Sequence, residues 1–156
     1  METIKKMNLS NDIKVAQDFI VRTLILVCFL YLFEASFWVN LIIILSTVIP
    51  SVYLHLMYSM EDEHKMIVIE EDKMILKNKD KSYDLHLSEQ IIFQGSVGLT
   101  RNIIPLFISP NYYKITFISK VFGEVTITSL LDLHIKDEIL KRFDENKISY
   151  DYFILY

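Results

Sequence analysis

Two apolar stretches, Phe19–Phe33 and Phe37–Tyr58, are separated only by Glu34-Ala35-Ser36, and beyond Ser59 the chain turns to alternating apolar and polar positions. A helix crossing a bilayer needs about 20 residues, with roughly 17 to 25 tolerated. The second stretch meets that length directly: Leu41-Ile42-Ile43-Ile44-Leu45 is its apolar centre, and it carries aromatics at both ends. The first is shorter by strict counting. It reaches the required length from Val15 or Asp18 to Glu34 if Arg22 carries its charge to the interface along its own methylene stem. A connection this short makes the two helices antiparallel neighbours, because backbone cannot leave its hydrogen bonds unmade in lipid. The pattern therefore predicts a tail over 1–17, a membrane hairpin over 18–58 and one small domain over 59–156.

A cleaved signal peptide would end in small residues and lead into soluble sequence, whereas a second full apolar span follows here at once. Lys5, Lys6, Lys14 and Arg22 precede the hairpin and its tip carries only Glu34, so the positive-inside rule places both chain ends in the cytoplasm. The single Cys28 has no partner for a disulfide framework and reads as a small apolar residue. Asn40 and Glu34 lie near the tip, and His55 lies toward the other end of the second span, so no ionisable group falls at the midplane as a proton relay would need. Pro50 frees a backbone carbonyl one turn earlier, which Ser46 or Thr47 would re-satisfy.

Glu61-Asp62-Glu63, a run in a solvated turn, marks exit from the bilayer and the domain boundary. Met66–Ile69 and Met74–Leu76 flank Glu70-Glu71-Asp72-Lys73 as a hairpin, and Tyr83, Leu85 and Leu87 alternate as a half-buried strand. Glu89–Phe93 reads as a strand or a turn leading into one. Residues 95–110, with two of the three glycines and two of the three prolines, read as a long loop with a short strand at Ile103–Ile108. Tyr113, Ile115 and Phe117 share one face of the next strand, and Phe122-Gly123 turns the chain into Glu124–Thr128. Ile135, Ile139 and Phe143 recur every four residues, predicting one amphipathic helix of about four turns between Asp132 and Asn146. Ile148–Tyr156 alternates again, as a last strand or an aromatic strap.

Six or seven short antiparallel strands closed by one helix is an α+β outline. With Met66–Lys77 as the opening pair, Tyr112–Ser119 and Glu124–Ile127 as the late hairpin and Leu133–Phe143 as the closing helix, the chain resembles small bacterial membrane proteins. These carry a transmembrane hairpin followed by a PH-like domain, among them the YcxB-like proteins. That resemblance implies a PH-like barrel and the inner (plasma) membrane of a bacterium. The alternative fold is an open antiparallel sheet with the helix on one face.

PH domains that hold phosphoinositides use basic residues at the first strand pair, where this chain carries Glu70-Glu71-Asp72. From Ser59 onward there are twelve Lys and Arg against sixteen Asp and Glu, so the net charge of −4 resides in this domain, and an acidic face is repelled by anionic lipid as well as by nucleic acid. Lys73, Lys77, Lys79 and Lys81 form a local basic run, either a solvated edge that discourages strand pairing or a headgroup contact. Histidines 55, 64, 86 and 134 lack metal-ligand spacing. Gly95-Ser96-Val97-Gly98 lacks the Lys-Ser/Thr of a phosphate loop, and no nucleophile elbow or dinucleotide fingerprint occurs. The expectation is a protein without catalytic activity, cofactor or metal.

Two functions fit. The first is a membrane-anchored interaction module, an accessory or scaffold subunit that binds a protein partner or further copies of itself. It would do so through Ile104, Leu106 and Phe107 of the loop and Tyr150, Tyr152, Phe153 and Tyr156 of the tail, apolar positions in excess of what so small a domain needs. The second is an accessory factor that senses lipid or membrane stress. Its headgroup contacts would be Arg22, Lys73, Lys77, Lys79, Lys81 and Arg101, with Lys114 a further candidate.

Overall fold

Thr3–Lys6, ahead of the first apolar stretch, forms a strand (β1) that pairs antiparallel with Lys65–Ile69 (β2), the first strand after the second stretch. The computed structural model describes residues 3–7, 9–32, 36–95 and 112–151. Between those two strands run helices α1, Leu9–Leu32, and α2, Phe37–Asp62. The expected amino-terminal tail is thus replaced by an edge strand and the first turns of a helix. Its four residues, Thr-Ile-Lys-Lys, carry no alternation and are held by backbone pairing, so no side-chain period announces the strand.

Of the described helices, α2 is long and apolar enough to cross a membrane by length and composition, and the apolar part of α1 is Thr23–Leu32. The large side chains Leu24, Ile25, Trp38, Ile42 and Ile49 are exposed. α2 runs through Pro50. The Ser46 hydroxyl donates to the Ile43 carbonyl at 2.8 Å, so it does not serve the carbonyl that the proline releases.

Two four-stranded sheets follow, with β3 at Met74–Asn78, β4 at Lys81–Asp84, β5 at Gln90–Gly95, β6 at Tyr113–Ser119, β7 at Gly123–Thr128 and β8 at Ile148–Asp151. Their orders are β1-β2-β3-β4 and β7-β6-β5-β8, with every pair antiparallel except β5 and β8. The fold is α+β with two sheets rather than one open sheet. Period-two patterning sends Ile67, Ile69, Met74 and Leu76 of the first sheet into one core with Ile91, Phe93, Ile115, Phe117 and Ile127 of the second. Helix α3, Ile135–Arg142, closes that core with Ile135 and Ile139.

The predicted period fails at two places for local reasons. The strand expected through Leu87 stops at Asp84, whose carboxylate accepts the His86 N–H at 3.1 Å and winds Leu85–Leu87 into a single 3-10 turn. Leu85 is then buried and Leu87 exposed. α3 has eight residues instead of about four turns. It begins after an Asx turn in which Asp132 accepts the His134 N–H at 3.1 Å, and it ends where Phe143 becomes extended and sends its ring into the core. The tail contributes a strand over Ile148–Asp151, so the helix is not the last element.

Gly95 fits only without a side chain, because a Cβ there would lie 2.7 Å from the Tyr113 Cβ and 3.0 Å from the Tyr112 carbonyl. Gly95→Ala should lower stability by roughly 1–3 kcal/mol, the usual cost of overpacking, as measured by chemical unfolding. An unchanged unfolding midpoint would show that the β5–β6 spacing is looser than described.

Candidate functional site

The junction between the helices and the sheets brings the most polar chemistry together. β1 leads into α1, and only Glu63 and His64 separate α2 from β2, so the helices meet the Lys6 and Lys65 ends of these strands. A second small core forms there from Val15 of α1, Leu54 and Tyr58 of α2, Tyr112 and Leu130, with Met7 and Leu133 packed against it. His55 Nδ1 and the Tyr112 hydroxyl lie 2.9 Å apart. Burial, reinforced by the charge of Asp12, pushes the Tyr112 hydroxyl up to about 12, so it stays protonated and available for this bond.

Polar contacts lock the junction. Asp62, the last residue of α2 and fully buried, accepts the Thr128 N–H at 3.0 Å and the Thr128 hydroxyl at 2.6 Å. Lys65 pairs with Glu61 and donates to the Thr126 carbonyl at 2.7 Å. Lys5 pairs with Asp132 at 2.7 Å, and the Asn11 side-chain amide donates to the Leu131 carbonyl at 3.3 Å. Sequence reasoning took Glu61-Asp62-Glu63 as a solvated boundary. The spacing of Leu54, Tyr58 and Asp62 at i, i+4 and i+8 is the signal that the last turns of α2 bury one stripe.

The expected headgroup cations are divided. Asn78 pairs with both Lys65 and Lys81, which puts Lys77, Lys79 and Lys81 at the helix end of the first sheet. Lys73 lies in the β2–β3 turn at the far end, beside Glu70, Glu71 and Asp72, so the four do not form one run in space. Arg22 lies on α1, and Arg101 lies outside the described residues. Of the expected partner-binding residues, Tyr150 is exposed on β8 with its ring stacked on Phe93 at 5.6 Å and Lys136 Nζ 5.9 Å above both rings. Ile104, Leu106, Phe107, Tyr152, Phe153 and Tyr156 lie outside the described residues. The strands bordering those segments reach the helix end: Gly95 pairs with Tyr113, and Asp151 pairs with Gln94.

Two of the clefts among the described residues open on the sheets. One, of about 280 Å³ at the far end, is lined by His86, Lys141, Arg142, Phe143, Asp144 and Lys147. Its cations are engaged: Arg142 donates to the Glu70 and Glu71 carbonyls at 2.8 and 3.0 Å, and Lys147 to the Ser88 carbonyl at 3.1 Å. The other, of about 410 Å³, opens beside the Glu61–Lys65 pair. Among the described residues no group of three or more His, Cys, Asp and Glu side chains is placed to hold a metal ion.

Burial dominates Asp62 and raises its carboxyl from 3.8 to about 6, against the opposing pull of Thr128 and Lys65. Because the folded value is raised, the contribution to stability is full below about pH 4 and declines as pH rises through about 6. Hydrogen exchange at the Thr128 amide should quicken over that window, with a loss of roughly 1–3 kcal/mol. Asp62→Asn should flatten the profile, whereas an equal pH slope in both proteins would remove Asp62 as its source. Asp62→Ala should cost about 1–3 kcal/mol below about pH 4, since it leaves the Thr128 donors buried and unmet, and the cost should shrink as pH rises through about 6.

No family model matches the chain, and neither a curated protein nor a solved structure matches it.

Proposed function

We propose that this chain is a membrane-anchored interaction module that acts without catalysis. In this reading α1 and α2 form a transmembrane hairpin, and the two sheets with α3 make a PH-like domain on the cytoplasmic face that serves a partner protein as an accessory or scaffold subunit. The observation that carries the reading is the pairing of β1 with β2, because it returns both helices to one edge of a single folded unit. Apolar helices that leave and re-enter at one place suit a double crossing.

The helix surfaces support it. A helix in a water-soluble protein buries an apolar stripe, yet α1 and α2 expose Ile20, Leu24, Ile25, Phe29, Trp38, Ile42 and Ile49. Residues 37–53 rise about 26 Å at the usual 1.5 Å per residue, close to the hydrocarbon thickness of about 30 Å. Leu54, Tyr58 and Asp62 belong to the contact with the sheets. Lys5, Lys6 and Lys14 then stand on the cytoplasmic side by the positive-inside rule. A partner is favoured by the exposed Tyr150 on β8, which ends the sheet order, and by the apolar sequence Tyr152–Tyr156 directly after it.

Purification of the tagged chain from its native membrane in mild detergent, followed by mass spectrometry of the size-exclusion peak, should find a stoichiometric second protein. Deleting Tyr152–Tyr156, which leaves β8 in place, should release that protein without changing membrane insertion. A particle containing only this chain and lipid would contradict the partner reading. Recovery of the chain in the soluble fraction would contradict the anchor.

A further inference from the structure

We infer that the helix end of the first sheet is a contact surface for anionic phospholipid headgroups, built from Lys6, Lys77, Lys79 and Lys81 around Met66. This rests on the membrane reading above and gives the anchored domain a fixed attitude toward the bilayer.

The surface follows from register. Lys6 stands opposite Met66, Met66 opposite Lys77, and Lys77 opposite Ser82. Residues directly opposite in adjacent strands point to the same face, and all four of these are exposed. The β3–β4 turn adds Lys79 and Lys81 at the same corner, both exposed. Lys79 holds a left-handed backbone at φ 53, a conformation glycine or asparagine adopts with less strain, so the turn carries a cation where an easier residue would serve its shape.

Charge pairing separates these lysines from others. Lys5, Lys65, Lys120, Lys141 and Arg142 are in ion pairs with carboxylates. Among the described residues no such pair involves Lys6, Lys77, Lys79 or Lys81. The opposing acids nearby are Asp80 in the turn, Glu63 beside β2, Glu124, which shares a cleft with Asn78, and Glu61, which Lys65 occupies. The acidic run Glu70-Glu71-Asp72 sits at the opposite end of the same sheet. A domain charged in this way turns its basic end toward an anionic leaflet and its acidic end away.

Position selects the bilayer over other polyanions. The helices emerge at this end, so a membrane they cross is always within reach, whereas a free polyanion must diffuse to the site. From Leu54 to Asp62 α2 rises about 12 Å. The headgroup layer extends about 5–7 Å beyond the hydrocarbon, and charge acts over a screening length of about 8 Å at physiological salt. Together these bring the lysine ammonium groups within range of lipid phosphates.

Amine footprinting of the full chain in nanodiscs tests this, with lysine modification read by mass spectrometry in phosphatidylcholine discs with and without phosphatidylglycerol. Lys77, Lys79 and Lys81 should be modified severalfold more slowly when phosphatidylglycerol is present, and high salt should erase the difference. Lys73, at the far end of the first sheet, should react alike in both. Combining Lys77→Glu, Lys79→Glu and Lys81→Glu, all at exposed positions, should abolish the lipid dependence at Lys6. A chain that enters the discs but shows equal modification in both lipids overturns the headgroup contact and leaves the anchor standing. A chain that does not enter the discs overturns both.

Discussion

The backbone ladder between Thr3–Lys6 and Met66–Ile69 is the constraint on which the remaining arrangement depends. It joins residues sixty or more positions apart and converts a two-helix insertion into a closed loop on a sheet edge. Without it, α1 would be tied to the sheets mainly by the Val15 contact and the Asn11 bond, and its angle to α2 would be weakly set. The ladder also brings Lys5 to Asp132, so the first strand is fastened to the segment between β7 and α3 as well.

Asp62 complements the ladder at the other helix. A buried carboxylate is costly unless its oxygens find donors, and the Thr128 N–H and hydroxyl supply them at the end of β7. The result is a helix continuous with β2 by chain and fixed to β7 by hydrogen bonds, so force applied along α2 is delivered to both sheets. Lys65 does the same one turn on through Glu61 and the Thr126 carbonyl. These contacts give the sheets one orientation relative to the helices, as the proposed interaction module requires.

Much of the sheet structure was legible because its physics is local. Alternation located β2, β3, β6 and β7, and the Ile135, Ile139, Phe143 spacing identified the face of α3 that is buried. What sequence reasoning missed depends on distant partners or single side-chain bonds. β1 has no amphipathic period and exists because β2 offers an edge. The 3-10 turn after β4 depends on the Asp84 carboxylate, and the early end of α3 on the core's demand for the Phe143 ring. At the junction, the acidic triplet read as solvent-facing because charge is the normal signature of surface, yet Asp62 points inward to Thr128. The lysine run read as continuous because sequence proximity hides that the length of β3 separates Lys73 from Lys77.

The central claim is that α1 and α2 leave one side of a bilayer and return to it beneath the β1–β2 ladder. It is tested most directly by labelling single cysteines, in a Cys28→Ser background, with a membrane-impermeant reagent in sealed vesicles of known orientation. Cysteines at Thr3 and Lys120 should react only from the cytoplasmic side, and one at Ser36 only from the opposite side. Reaction of all three from the same side would contradict the account.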